Sequence, residues 1–342
     1  MARKQKTAAQ KARAKATIQK RVEESRRETV ETIIKMMETG GLDWIKEWSM
    51  DGFTTTDAFQ PHNPITGTYY RGMNRVGLAG HIIRRGIDDN RFCTEFQAKK
   101  MGWKVKDGAK PYVIEKWKQC RWTTTDDDGN DEFHSKPVLM SFFYVFNFSD
   151  IDGAPAMPKP TDNPTHEHED IDDLMDALKA TSRCEISEIV SNRAYYSPTL
   201  DKVTVPLRDQ FTTLQAALRT MLHEMGHSTS HDDACKRPIG GRFGSSSYAF
   251  EELVAELTAV FTASYLCVDL PKEDDDEHKR NHAAYLQNWL GALNDNPDYL
   301  YRAAAKAADA SDYIIDRLTK VHPEYARTVE KIETPDDTTQ AA

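Results

Sequence analysis

The sequence predicts an α+β fold in two domains. The first is a mixed α/β domain with an antiparallel sheet; the second carries a helical metal-ligand motif and a helical extension. Three observations predict this. The chain has 342 residues, more than a single core commonly organises. Its charge is divided: residues 1–148 hold 26 Lys+Arg against 19 Asp+Glu, while residues 149–342 hold 19 against 35, so the overall −9 conceals a basic half and an acidic half. The apolar pattern also changes, from short alternating aromatic runs to helical stripes. The expected boundaries are a basic arm over 1–27, a first domain over 28–150, a linker over 151–170, a second domain over 171–334 and a disordered tail over 335–342.

The first 22 residues contain eight Lys/Arg and no acid. From Ala9 to Met37 the pattern is helical and mostly polar, which suits a solvated arm or one that lies along a phosphate backbone. Gly40-Gly41 stops that helix. Residues 42–148 hold five of the six tryptophans. Trp44 and Trp48 are at helical spacing, and Asn63-Pro64-Ile65-Thr66-Gly67 is a turn signal. Short helices are expected over 76–87 and 94–102, a strand and turn over 103–108, and strands at Tyr112–Trp122 and Ser141–Phe148. The acidic run Asp126–Glu132 between those strands reads as a solvated hairpin loop.

Alternation along Tyr112–Trp122 puts Lys116, Lys118 and Trp122 on one face, with Trp117 and Arg121 on the other. Rings interleaved with cations suit single-stranded nucleic acid, where bases stack and phosphates meet charge. About half of these aromatics are expected to be ordinary core. The candidate contacts are Trp44, Trp48, Tyr70, Arg71, Asn74, Lys104, Lys106, Lys116, Trp117, Lys118 and Arg121.

Acids and prolines over 149–170 predict an extended linker, where His166 and His168 read as solvated. A helix over 171–180 is followed by a hairpin, Arg193–Ser197 and Lys202–Pro206. The strand just before the next helix is either a plain edge or a peptide-docking edge.

That helix, expected over Thr213–Ser230, carries His223-Glu224-Met225-Gly226-His227. Residues four apart share a helix face, so both histidines can address one ion. Leu214, Leu218, Met221, Leu222 and Met225 form an apolar stripe roughly opposite them. Glu224 is placed as general base toward a water on that ion. A zinc site needs a third protein ligand. His231 lies eight residues beyond His223, about 12 Å along a continued helix, too far for one ion. Glu252 on the following helix, Tyr248–Val268, is the better candidate, among small residues that permit close approach. Glu256, one turn on, can hold a ligand histidine by its other ring nitrogen. Glu251 projects elsewhere and is expected to be solvated. The spacing of these acids resembles that of thermolysin-like gluzincins, so the second domain is expected to be a gluzincin-like zinc metallopeptidase domain. Tyr195, Tyr196, Arg237, Arg242 and Tyr248 are available as oxyanion donors.

A family resemblance rests on Trp44 and Trp48, Asn63-Pro64-x-Thr66-Gly67-x-x-Tyr70-Arg71-Gly72-x-Asn74, Thr94-x-x-Gln97-Ala98 and Val145-Phe146-Asn147. Together these resemble the N-terminal domain of ArdC-type antirestriction proteins of plasmids and phages. His223-Glu224-x-x-His227 with Glu251–Leu257 resembles the metallopeptidase-like domain of the same family. The resemblance implies a domain that binds DNA, mainly single strands with duplex as an additional partner, and a zincin domain with one Zn2+. It also implies protection of incoming DNA from host restriction. Two alternatives stay open: a zinc peptidase acting on DNA-bound proteins, and a single-strand-binding protein whose zinc is structural.

Other classes are disfavoured. The five cysteines are scattered without a C-x-x-C pair, which fits a reduced cytoplasmic protein; the family resemblance implies that the cytoplasm is that of a bacterial host. No apolar run approaches the ~18 residues of a membrane span. No paired-carboxylate magnesium motif suggests a nuclease.

Overall fold

The computed structural model describes residues 7–40, 55–125, 131–157, 168–239, 245–268, 289–296 and 298–333. The chain is α+β and divides into two compact units, one formed by 1–27, 92–155 and 333–342, the other by 28–91 and 156–332. Residues 28–91 thus pack with the C-terminal half of the chain, a grouping that chain order does not show. Helix α1, Ala8–Gly40, passes through the division.

The first unit is built on a long hairpin. Strand β5 (Tyr112–Thr125) pairs antiparallel with β6 (Asp131–Asn147), from Tyr112 opposite Val145 to Thr125 opposite Asp131, with an irregularity between Lys116 and Trp117. Asp131 and Glu132, expected in the loop, are strand residues opposite Thr125 and Thr124. Strand β3 (Phe92–Thr94) pairs on the other edge of β6, giving the order β3-β6-β5. Helix α4 (Glu95–Lys100) follows directly, because Thr94 and Gln97 form a reciprocal cap: the Gln97 amide N–H donates to Thr94 Oγ1, and the Thr94 N–H donates to Gln97 Oε1. Strand β4 (Lys104–Val105) pairs with β7 (Ile151–Asp152), so the expected linker begins as ordered structure. Its other end is also shorter than expected, since helix α5 runs from His168 to Thr181 and includes His168. His166 lies outside the described residues.

The second unit centres on helix α7 (Ser246–Tyr265), which is buried without a break from Glu251 to Ser264. An apolar helix enclosed on all sides has no solvated stripe to offer a charge. On one side lies α6 (Leu214–Ser228), whose first turn is capped by the Thr213 hydroxyl accepting from Ala216 N–H at 3.2 Å. Another neighbour is α8 (Asp298–Val321), where Thr262 donates to Ser311 at 3.0 Å. The Leu214, Leu218, Met221, Leu222 and Met225 stripe of α6 is buried with Val203, Val205 and Ile186 of a three-stranded sheet.

That sheet has the order β8-β10-β9. Strand β10 (Lys202–Pro206) pairs parallel with β8 (Glu185–Ile189) and antiparallel with β9 (Tyr195–Ser197). The strand nearest the motif helix in sequence is therefore central among the described strands, with β8 and β9 at the two edges. The expectation of β10 as an edge fails because β8, which sequence reading missed, occupies its free side.

Residues 55–91 contribute α2 (Thr55–Ala58), the pair β1 (His62–Asn63) and β2 (Thr68–Tyr69), and α3 (Gly72–Arg85). The Asn63–Gly67 motif is a side-chain-closed turn: Asn63 Oδ1 accepts from Ile65 N–H at 3.0 Å, and Gly67 supplies a φ of +70°. Arg75 binds this segment to α7, donating to the Phe261 carbonyl at 3.2 Å and lying 4.6 Å from the Phe261 ring centre. No helix among the described residues is long and apolar enough to cross a membrane.

Candidate metal centre and nucleic-acid interface

Helix α6 presents His223 and His227 from the face opposite its buried stripe, and α7 presents Glu252 toward both. The helices approach closely at Gly226, where an added Cβ would lie 3.2 Å from Ala255 Cα. His223 Nε2 stands 3.5 Å from Glu252 Oε2, His227 Nε2 stands 3.7 Å from Glu252 Oε1, and the two Nε2 atoms are 3.2 Å apart. One ligand atom from each of the three residues lies within 4.8 Å of the others. Glu224 is buried beside this group.

The electrostatics favour positive charge here. Burial opposes a charged His223 ring, yet the carboxylates of Glu252 and Glu256, with Glu224 nearby, outweigh it and hold His223 well above an ordinary histidine. Burial likewise opposes the charged form of Glu252, but His223, His227 and a hydrogen bond from Tyr248 bring it down to about 2. Two imidazoles and a carboxylate turned toward one point in an acidic pocket are the donor set of a tetrahedral divalent ion with one open position. The residues fit the metal that the motif implies.

Behind the donors, Glu256 Oε2 is 3.4 Å from His223 Nδ1, and Arg219 pairs with Glu256. Glu251, expected in solvent, is buried: its Oε1 lies 3.6 Å from His227 Nδ1 and 2.6 Å from Arg237. Arg219 and the Arg237–Glu251 pairing were missed, since no local spacing links either arginine to α7. Arg237 is committed to Glu251, Gly226 O and Thr229 and is not a free oxyanion donor. Tyr196 is likewise held, donating to Asp201 at 2.8 Å. Tyr195 is exposed on edge strand β9, Tyr248 adjoins Glu252, and Arg242 lies outside the described residues. His231 stands apart from the donors, with Nε2 3.9 Å from Asp201.

The nucleic-acid candidates divide between the two units. Tyr70, Arg71 and Asn74 belong to the second, where Arg71 is ion-paired with Asp312. Lys104, Lys106, Lys116, Trp117, Lys118 and Arg121 belong to the first. Lys104 lies 3.7 Å from Asp107, and Lys106 donates to Ser149 O at 2.8 Å. Trp44 and Trp48 lie outside the described residues.

The hairpin's two faces differ. On one, the Trp117 indole donates to Glu115 at 2.9 Å, and Arg26 of α1 pairs with Glu115 and lies 5.8 Å from the Trp117 ring. Arg21 donates to Tyr144 on the same face at 2.8 Å. The other face carries Lys116, Lys118 and Trp122, with Phe143 directly opposite Ile114. Trp122 is 43% exposed and Phe143 42%. On α4, Phe96 is 69% exposed with Lys100 lying over its ring. Phe96, Phe143 and Lys100 were not among the sequence candidates; only the register and the exposure identify them.

Comparison with known proteins matches both halves of the chain, with the N-terminal match running across residues 28–91 of the second unit. A family model described as the N-terminal domain of anti-restriction factor ArdC matches residues 23–146, and one described as a zincin-like metallopeptidase matches 171–306. Two Escherichia coli proteins, each called DNA primase TraC, are 31% and 30% identical over 83% and 84% of this chain; the chain spans only 19% and 27% of their lengths. The uncharacterized protein y4eC of Sinorhizobium fredii is 28% identical over 82% of this chain and 88% of its own. The metal-free crystal structure of the antirestriction protein ArdC from plasmid R388 superposes with a TM-score of 0.64 at 29% identity, covering 86% of this chain and 98% of that one. Its Mn(II)-bound form gives 0.62 at 28%, covering 86% and 97%. The chain thus carries an ArdC-type N-terminal domain followed by a zincin-like metallopeptidase domain, and over most of its length it is similar to the antirestriction protein ArdC.

Proposed function

We propose that the protein binds single-stranded DNA through its first unit, carries a zinc peptidase centre in its second, and protects incoming DNA of a mobile element from restriction in the bacterial cytoplasm. The observation that carries the peptidase reading is the convergence of His223 Nε2, His227 Nε2 and the Glu252 carboxylate beside buried Glu224. The existence of a Mn(II)-bound form of R388 ArdC agrees with a divalent ion in a protein of this fold. Zn2+ held by His223, His227 and Glu252 would supply Lewis acidity at this point. Glu224 would act as general base: its carboxylate would take the proton from the attacking water and return it to the leaving amine of a peptide. Strand β9, one of the sheet's two edges, offers backbone groups to an extended polypeptide.

The DNA reading is supported by the open hairpin face with Lys116, Lys118, Trp122 and Phe143, where rings can stack on bases and ammonium groups can meet phosphates. The names of the TraC relatives, DNA primases, agree with a nucleic-acid setting.

Glu224→Gln tests the peptidase role. It is expected to keep zinc and DNA binding and to abolish protection of transferred DNA in a restricting host. Protection that survives Glu224→Gln but fails in Lys116→Glu/Lys118→Glu would assign the activity to DNA coating and leave the metal a structural role.

A further inference from the structure

The two histidines are backed in the same way. Behind His223 stands Glu256, its Oε2 3.4 Å from Nδ1, paired with Arg219. Behind His227 stands Glu251, its Oε1 3.6 Å from Nδ1. Arg237 grips Glu251 with two N–H groups, Nε to Oε2 at 3.1 Å and a terminal nitrogen to Oε1 at 2.6 Å. The same guanidinium donates to Gly226 O at 2.8 Å and Thr229 Oγ1 at 2.7 Å, at the end of the helix that carries both histidines. Arg237 and Glu251 are both buried. Both imidazoles therefore turn Nε2 inward to Glu252 and Nδ1 outward to a carboxylate.

We propose that Glu251, clamped by Arg237, is a positioning residue for His227: it orients the ring and keeps the proton on Nδ1, so that Nε2 is free for a metal. This rests on the metal reading above. An imidazole can donate from only one nitrogen when neutral, so an acceptor fixed behind Nδ1 selects the tautomer whose lone pair faces inward. A carboxylate in that place also makes the ring a stronger donor. Arg237 keeps the carboxylate from turning away and ties its position to the end of α6. A pair serving only the fold would not need its carboxylate edge directed at the ligand ring.

The test uses the full chain. Zinc is titrated against a chromophoric chelator for the unmodified protein, Glu251→Gln, Glu251→Asp and Arg237→Lys, with Asp89→Asn as control. Asp89 forms a comparable buried pair with Arg91 at 2.7 Å. Glu251→Gln is expected to weaken zinc binding about 10-fold or more, in the range found for partners of ligand histidines. Glu251→Asp should recover part of that loss, and Asp89→Asn should bind zinc normally. The Co2+-loaded Glu251→Gln protein should show a shifted visible absorption band, which a purely structural pair would not cause. Should Glu251→Gln not fold, Arg237→Lys carries the test, with an expected loss of about 10-fold. Unchanged zinc affinity and an unchanged Co2+ spectrum in the folded variants overturn the inference while leaving the metal centre intact. An unmodified protein that binds no zinc overturns both.

Discussion

Gly226 sits inside the metal-ligand motif, and the approach of α6 to α7 depends on its missing side chain. In Gly226→Ala the new methyl would lie 3.2 Å from Ala255 Cα, 3.3 Å from Ala255 O and 3.3 Å from Thr258 Cβ. Carbon atoms pack best at about 3.5–4.0 Å. Two of the three neighbours are backbone of α7, so no rotamer change relieves the contact. Alanine gains about 1 kcal/mol in helix propensity over glycine, whereas overpacking a tight core contact costs about 1–3 kcal/mol. The balance is a net destabilisation of about 1 kcal/mol for alanine, by the difference of those two terms. Valine should cost more, because it adds bulk in the same place and loses propensity by branching. The contact also spaces the donors, since α6 carries His223 and His227 while α7 carries Glu252. Both substitutions should therefore weaken zinc binding as well. Thermal unfolding of the metal-free protein and zinc titration, for Gly226→Ala and Gly226→Val, measure the two effects. A metal-free Gly226→Ala protein with a raised Tm, the response of propensity alone, would refute the close-packing argument.

Three further outcomes follow from the structure. Arg26→Ala removes the cation paired with Glu115, whose side chain is 7% exposed and keeps the Trp117 indole as a donor, and should cost about 3 kcal/mol, at the lower end for breaking a buried pair; Trp117 fluorescence during unfolding reports it. The Asp201 carboxyl is brought from 3.8 to about 2 by Arg183, with Tyr196 assisting against burial, so its stabilisation is present above about pH 4 and lost as pH falls toward about 2. Asp201→Asn, which tolerates the same positive φ of 48°, should flatten that acid limb in thermal unfolding followed against pH. For single-stranded DNA, Trp122→Ala should lose about 1–3 kcal/mol of binding, and Lys116→Ala should reduce the salt slope by about 0.7. Both are read by fluorescence anisotropy at several salt concentrations.

Periodicity explains what could be read from the chain. The α6 stripe and the two histidines opposite it are a local pattern, and the burial of Leu214, Leu218, Met221, Leu222 and Met225 agrees with it. The hairpin was legible because alternation persists along Tyr112–Trp122. Glu251 was misread because α7 is enclosed on all sides, a property set by α6 and α8 and not by the helix's own spacing. Its partner Arg237 comes from a different segment, 14 residues earlier. Strand β8 was missed because Glu185-Ile186-Ser187-Glu188-Ile189 has modest strand character, and parallel pairing with β10 leaves no hairpin signal between them. The packing of residues 28–91 with the C-terminal half rests on contacts such as Gln60 donating to Ser264 O at 2.5 Å, which have no sequence signature.

On the proposed function, one zinc ion is held by His223, His227 and Glu252. A crystal structure of the zinc-loaded protein, with anomalous diffraction collected at the zinc edge, tests it most directly. The predicted result is a single anomalous peak about 2.0–2.2 Å from His223 Nε2, His227 Nε2 and a Glu252 carboxylate oxygen. A peak at His231, or a zinc ion that leaves Glu252 uncoordinated, would contradict it.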